Sequence, residues 1–487
     1  MTNPSDSASN VNAGRLFIGS CVALIATSVA FATVGAIMLA LKREFILTNE
    51  EVGWIGGAAL WGFAVSQVVF APLADNLGMR TLLRLAFVGH LAGTLVMMFA
   101  TGFSMLLLGA MVIAMGNGLV EAACNPLVAT LYPDNKTVKL NQFHVWFPGG
   151  VALGGLAAFG LDFVGVGAWQ VKLALILIPT LTYGVLILTQ PFPATEGVQA
   201  GVSMGEMFKA TFATPLMWVM LIAMAMTASV ELGPNRWVPA VLEAGGMPGI
   251  LVLVWINGIM AVLRFRAGPV VKRLSPTGLL LTSSVLGGVG LLGLSLWGSG
   301  WLTVASATVF AVGVCYFWPT MLGVVSERVP RSGALGLGLM GAMGMAVVGL
   351  VTSPAMGRVA DRYAHEEIPA AETVALFERA EIELGESDLR DLQIAGEVAG
   401  AIAAEHASTG VLPPETANAL RAIIATDAGS IVGEAQAILG PADNYGGRIS
   451  FRYVVPLCGV LMLIFGAMYM RDRAAGGYKV TSIEAEA

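Results

Sequence analysis

Stretches of roughly twenty apolar residues recur along this chain, and they limit its fold more than any motif, because about twenty helical residues cross a ~30 Å hydrocarbon layer. Inside lipid every backbone N–H and C=O needs a partner within its own segment, so such stretches must be helices. They lie near 16–41, 51–72, 81–101, 103–131, 141–161 and 170–190, and again near 213–235, 248–272, 278–298, 301–325, 333–357 and 450–470. Twelve spans are expected, and a polar linker at 191–212 separates six from six, which suggests two related halves. The expected fold class is an all-α membrane protein. Residues 1–190 form one six-helix bundle; 213–362 carry spans seven to eleven, and 448–487 carry span twelve and a tail.

Composition excludes the usual soluble classes. The chain is 56% hydrophobic and only 12% charged, with a mean hydropathy of +0.77. Its 60 glycines and 24 methionines suit helices that pack closely and slide. The first apolar run is too long for a signal peptide and lacks a small-residue cleavage site, so it is expected to remain a span. Cys21, Cys124, Cys315 and Cys458 fall in apolar segments, which indicates neither a disulfide framework nor a metal cluster. No phosphate-cradling Gly-x-x-x-x-Gly-Lys-Ser/Thr loop, metalloprotease spacing or basic stripe occurs in the sequence. Neither ATP hydrolysis, enzyme chemistry, a cofactor nor nucleic-acid binding is expected; the partners expected are the lipid bilayer and a small solute, with a single chain as the working unit.

Charge placement orients the chain. With the N-terminus inside, thirteen Lys and Arg residues fall in inner segments against four in the outer loops other than the acidic insert, which puts both termini in the cytoplasm of a cell (inner) membrane protein. Residues 358–448 hold 16 acidic and six basic residues, a balance of −10 on a body that is otherwise mildly basic. The acidic insert, 363–447, is then extracytoplasmic. Apolar residues at helical intervals, such as Ile382, Leu389, Leu392 and Val398, predict two or three amphipathic helices broken at Pro413-Pro414 and ended by Pro441 and Gly446-Gly447. A solvated helical cap and a ligand-capturing lid both fit it.

Spans four and five carry what hydrocarbon should expel: Asn117, Glu121, Asn125, Asn141, Gln142 and His144. An ionisable group at the bilayer centre costs about 2.5–3.5 kcal/mol on insertion scales, so these residues point to a solute or ion pathway. Glu121 and Asn125 share a helical face, and Pro126 frees a backbone carbonyl beside them. Glu121 is either a proton carrier or a protonated hydrogen-bonding group; His144 either titrates or stays neutral. Glu231 either pairs locally with Arg236 or serves the solute. Arg264, deep in span eight, requires a partner carboxylate or an anionic group on the solute. His90 is expected to be a packing or hydrogen-bonding residue. Trp61, Trp146, Trp255 and Trp318 lie within spans, where flat rings beside amides and carboxyls suit the C–H faces of sugars.

Between spans two and three, Pro72, Asp75, Gly78, Arg80 and Arg84 suggest a turn whose aspartate accepts a helix N-terminus or an arginine. This loop resembles the Gly-x-x-x-Asp-x-x-Gly-x-Arg-Arg/Lys pattern of the major facilitator superfamily, with Ala71 or Pro72 where the first glycine stands. Glu121-Ala-Ala-Cys-Asn125-Pro126 followed by Leu140-Asn141 resembles spans four and five of the fucose/galactose/glucose:proton symporters. Ala228–Gly233, Leu263-Arg264-Phe265 with Gly268, Phe317-Trp318-Pro319, and Pro354 to Asp361 resemble their spans seven, eight, ten and eleven. The resemblance implies a proton-coupled sugar symporter working by alternating access. It implies coupling at Glu121, sugar contacts at Asn141, and a structural lock near the cytoplasmic end at Arg264. The first span here has no acidic residue, so coupling falls to Glu121, Glu231 or His144, or the ion is sodium. Asn125, Asn141, Gln142, His144 and Trp146 are expected around the N-terminal half of a central cavity, with Asn257 and Trp318 opposite. Asp75, Gly78, Arg80 and Arg264 are the expected gate or lock. A proton-driven exporter of drugs or metabolites, and a receptor or scaffold acting through the insert, are the rival readings.

Overall fold

The computed structural model describes residues 11–387, 389–426 and 429–483. All regular structure among them is helical. Eleven helices are long and apolar enough to cross a membrane; a twelfth span is the pair Gly249–Phe265 and Ala267–Leu274, bent by 69°. Spans one to six are Ala13–Met38, Glu50–Phe70, Met79–Met98, Phe103–Leu131, Pro133–Phe163 and Trp169–Ile187. Span seven is Pro215–Ala244, span eight the bent pair, and spans nine to twelve are Pro276–Leu296, Trp301–Arg328, Pro330–Glu367 and Gly429–Ala474.

Local chemistry sets several boundaries. Thr48 and Glu51 exchange side-chain and backbone hydrogen bonds at the start of span two, and Ser203 and Glu206 do so at the linker helix Met204–Ala213. Gly78 turns the chain between spans two and three at φ +79°, where a side chain would be strained. In span eleven a π-helical turn, Val348–Thr352, precedes Pro354, which cannot donate to the regular ladder.

Glycines let the spans approach backbone to backbone. A Cβ on Gly313 of span ten would lie 2.2 Å from the Gly287 nitrogen of span nine, and one on Gly109 of span four 2.8 Å from the Met97 nitrogen of span three. The two halves meet through the same device: Gly338 and Gly341 face Ala71 and Gln67, Gly349 faces Leu60, and Gly323 faces Thr137.

The insert has its own apolar core. Helices Ala370–Gly385, Arg390–Thr409 and Thr416–Ala425 bury Leu376, Phe377, Leu420 and Ile423 together with Ile431 of the last helix. Ile382, Leu389 and Val398 are exposed, whereas Leu392 packs on that core. The chain breaks at Pro413-Pro414 as the sequence suggests. Pro441 and Gly446-Gly447 do not break the chain: one helix runs from Gly429 to Ala474, through 447. The glycine pair serves a crossing instead. A Cβ on Gly446 would lie 2.1 Å from the Ala360 carbonyl oxygen of span eleven, and one on Gly447 would strike Val241 of span seven.

Candidate functional site

Span four brings Glu121 to the middle of the molecule, where the side chain is buried. One turn later Asn125 donates from Nδ2 to Glu121 Oε2 at 2.7 Å, and Asn125 Oδ1 lies 3.1 Å from His144 Nε2. The ring's other nitrogen, Nδ1, is 3.8 Å from Glu121 Oε1. His144 reaches this position because its helix, Lys136–Phe143, stops there and the chain restarts at Trp146.

The other half answers with Arg264, at the bend of span eight. Its guanidinium donates to Glu231 Oε1 at 2.7 Å, to the Cys315 carbonyl at 2.5 Å and to the His144 carbonyl, across the halves, at 2.9 Å. Glu121, His144 and Phe147 on one side and Glu231, Arg264 and Trp318 on the other line a small cavity. Glu231 Oε2 and Trp318 Nε1 are buried there without a hydrogen-bond partner. Such orphaned groups cost about 1–3 kcal/mol each unless something else satisfies them, which gives a solute hydroxyl two sites to occupy.

Several expected residues lie elsewhere. Glu231 does not pair with Arg236: five residues along a helix is about 140° around it, and Arg236 is exposed. Arg264 lines the cavity itself while bonding across the halves to the His144 carbonyl. Trp255, nine residues before Arg264, is on the opposite face, half-exposed and bonded to Thr308. Asn257 shares the Arg264 face but sits two turns, about 10 Å, away, bonded to Leu253 and Asn235 within its own half. Trp146 and Gln142, each two positions from His144, are not among the lining side chains, and Trp146 is exposed. Asn141 joins the halves beyond the cavity, donating to the Thr137 carbonyl and to Thr320 Oγ1. His90 is the satisfied residue the sequence suggests, between Asn117 and Tyr183.

In the turn before span three, Asp75 meets the start of the short helix Glu196–Gln199 and not an arginine. Asp75 accepts from Thr195 Oγ1 at 2.6 Å, and Arg80 and Arg84 both donate to the Leu188 carbonyl. The turn therefore clasps the linker and span six, with no arginine on the aspartate. Burial raises the Asp75 carboxyl above its ordinary range, while the Thr195 hydroxyl opposes that shift.

A second contact between the halves, at the linker end, was not legible in the sequence. Lys136 donates to Glu196 at 2.5 Å and to the Ser326 carbonyl. Glu327 Oε1 accepts from the Thr137 nitrogen and hydroxyl at 3.0 and 2.8 Å, and Glu327 Oε2 accepts from Tyr478 of the tail at 2.8 Å. Arg328 is paired with Asp472. A charged Glu327-Arg328 dipeptide at the foot of an apolar span was the available signal.

Comparison with known proteins agrees with this architecture. The family model described as Major Facilitator Superfamily matches residues 16–353. Monosaccharide-sensing protein 2 of Arabidopsis thaliana is 29% identical over 182 residues, 37% of this chain and 25% of that protein. The chain thus spans about a quarter of that relative's length. A bacterial homologue of the human lysosomal transporter Spinster superposes with a TM-score of 0.60 at 16% identity, over 93% of this chain and 96% of that one. The E. coli fucose:proton symporter FucP gives a TM-score of 0.57 at 16% identity, over 71% and 92%. Identities this low establish a shared fold.

Proposed function

The chain belongs to the Major Facilitator Superfamily, and from that membership we propose that it is a secondary active transporter of a sugar or similar small polar solute, a proton or sodium symporter acting by alternating access. The observation that carries this reading is the cavity between the halves, into which Glu121, Glu231 and Arg264 all face. Charges are retained at such depth only when they serve a pathway or one another. The unsatisfied Glu231 Oε2 and Trp318 Nε1 offer an acceptor and a donor to a hydroxyl, and the indole offers an apolar face. The names of the relatives, a monosaccharide sensor and a fucose symporter, point the same way. The protein sits in the cell membrane with both termini in the cytoplasm and the acidic insert outside; the Lys136 and Glu327 contacts then close its cytoplasmic end, and the cavity is loaded from outside.

Purified protein in liposomes tests this. Labelled hexoses, pentoses and 6-deoxyhexoses should accumulate when a proton or sodium gradient is imposed, and accumulation should be lost in Glu121→Gln. Efflux of cationic dyes with no sugar uptake would instead favour an exporter. Failure to move any solute, with a partner bound through 363–447, would favour a receptor.

A further inference from the structure

We propose that the C-terminal tail, 475–483, is a strap that holds the cytoplasmic end of the molecule shut, with Tyr478 as the residue that positions the Glu327 carboxylate against the opposite half. This rests on the alternating-access reading above and adds a conformational control to it.

The tail is built to fold back. The helix of span twelve ends at Ala474, and Gly476 and Gly477 follow at φ +85° and +117°, left-handed backbone that a side chain would strain. The Gly477 nitrogen donates to the Asp472 carbonyl at 2.8 Å, which closes the turn. Asp472 is itself anchored, because its carboxylate accepts from Arg328 of span ten and Thr277 of span nine. The chain then runs across the foot of span ten. The Tyr478 hydroxyl donates to Glu327 Oε2 at 2.8 Å, and the Thr481 nitrogen donates to the Glu327 carbonyl at 2.8 Å. The Arg328 guanidinium lies 4.3 Å from the centre of the Tyr478 ring. Farther along, Arg331 donates to the Ile483 carbonyl at 3.1 Å, and the Ile483 side chain packs on Val202 and Met207 of the linker and Leu335 of span eleven.

What the strap acts on is one carboxylate. Glu327 Oε1 accepts from the Thr137 nitrogen and hydroxyl in the first turn of the helix Lys136–Phe143, which belongs to the other half. First-turn N–H groups have no partner within their own helix and favour an anion, so Glu327 caps a helix across the seam between the halves. Holding a glutamate side chain extended costs rotamer freedom. Tyr478 on the carboxylate and Thr481 on the main chain fix both ends of that side chain and so pre-set it for Thr137. The tail bonds named above all go to spans nine to twelve or the linker, and the strap therefore reaches the N-terminal half through Glu327. Lys136, bonded to Glu196 and the Ser326 carbonyl, is a parallel fastening that does not involve the tail.

Thiol labelling tests this without a solute. Ala129 is buried in the seam at the cytoplasmic end, beside Thr195, Ser326 and Ala334. Ala129→Cys should react with a charged maleimide only when that end opens, and the parent, whose native cysteines are buried, sets the background. In detergent, Tyr478→Phe should raise the labelling rate at Ala129→Cys about tenfold, the effect of one lost hydrogen bond to a charged group. A chain shortened to Ala475 should raise it at least as much. Glu327→Ala should also raise it, and adding Tyr478→Phe to Glu327→Ala should change the rate by about twofold or less, because the strap acts through that carboxylate. If the shortened chain does not fold, Tyr478→Phe, which removes one oxygen and keeps the ring beside Arg328, carries the test. Labelling of Tyr478→Phe at the parent rate while Glu327→Ala labels faster would overturn the strap and leave the opening of this end intact. An equal rise from Tyr478→Phe with and without Glu327 would overturn the route through the carboxylate, and with it the proposal. Parent-rate labelling in Glu327→Ala as well would mean that this end does not open, and the alternating-access reading would fall together with the strap.

Discussion

Arg264 and Glu231 form an ion pair at 2.7 Å in which neither side chain is more than 4% exposed. Spans seven and eight each bring one charge that neither could keep alone in a low-dielectric interior, so the pair fixes how these helices face each other. It also leaves Glu231 one free carboxyl oxygen at the cavity wall.

Removing one member should therefore harm the fold more than removing both. Glu231→Gln or Arg264→Met strands the surviving charge, at a cost of about 3–5 kcal/mol, whereas the double replacement should recover much of the loss. Melting temperatures in detergent, read as a double-mutant cycle, check this. Single variants that melt with the parent would show the pair to be loosely held.

Two glycine substitutions should have opposite signs. Gly313→Ala would place a Cβ 2.2 Å from the Gly287 backbone nitrogen and so force spans nine and ten apart, an overpacking cost of about 1–3 kcal/mol. A Cβ on Gly459, in the last span, meets nothing within 4 Å, and Gly459→Ala should gain about 0.5–1 kcal/mol from a stiffer helix. Thermal melting of both variants beside the parent decides the matter.

Asp75 gives a pH dependence whose sign is fixed. Its carboxyl is raised by burial, with the Thr195 hydroxyl opposing, so its contribution to stability is complete when protonated, below the unfolded value of about 4. That contribution is lost as pH rises through the raised folded value. Asp75→Asn keeps an acceptor for Thr195 and carries no charge. Its melting temperature relative to the parent should improve between about pH 4 and pH 7. A constant difference over that range would count against the assignment.

The insert should loosen separately from the membrane body, because its core is a distinct apolar cluster. Phe377 is fully buried there, and Phe377→Ala should cost about 3–5 kcal/mol locally. Hydrogen exchange should quicken across 370–425 and leave spans one to six as in the parent. Equal acceleration in those spans would mean that one cooperative unit includes both.

How much could be read beforehand differs between fold and site. The spans were legible because their length and apolarity are imposed by the bilayer, and the loop before Arg80 carried its family pattern openly. Within the site, Glu121, Asn125, His144, Glu231, Arg264 and Trp318 were legible as polar or aromatic anomalies in apolar runs, and they converge. Trp146, Trp255 and Asn257 were equally anomalous, yet face outward or sit turns away, since facing depends on helix rotation and on the breaks at His144 and Arg266. Pro441 and Gly446-Gly447 leave the last helix unbroken, because a glycine pair marks a turn or a tight crossing with the same letters.

By itself the sequence determined a membrane-spanning chain of two six-span halves with a charged insert, because hydrocarbon admits only long, internally bonded apolar helices and makes every exception conspicuous. Only the tertiary structure decided which exceptions meet. Glu231 finds Arg264 rather than Arg236, Asn125 lies between Glu121 and His144, and Glu327 joins Thr137 to Tyr478. These partners are up to 190 residues apart, and such pairings are set by how helices rotate and cross.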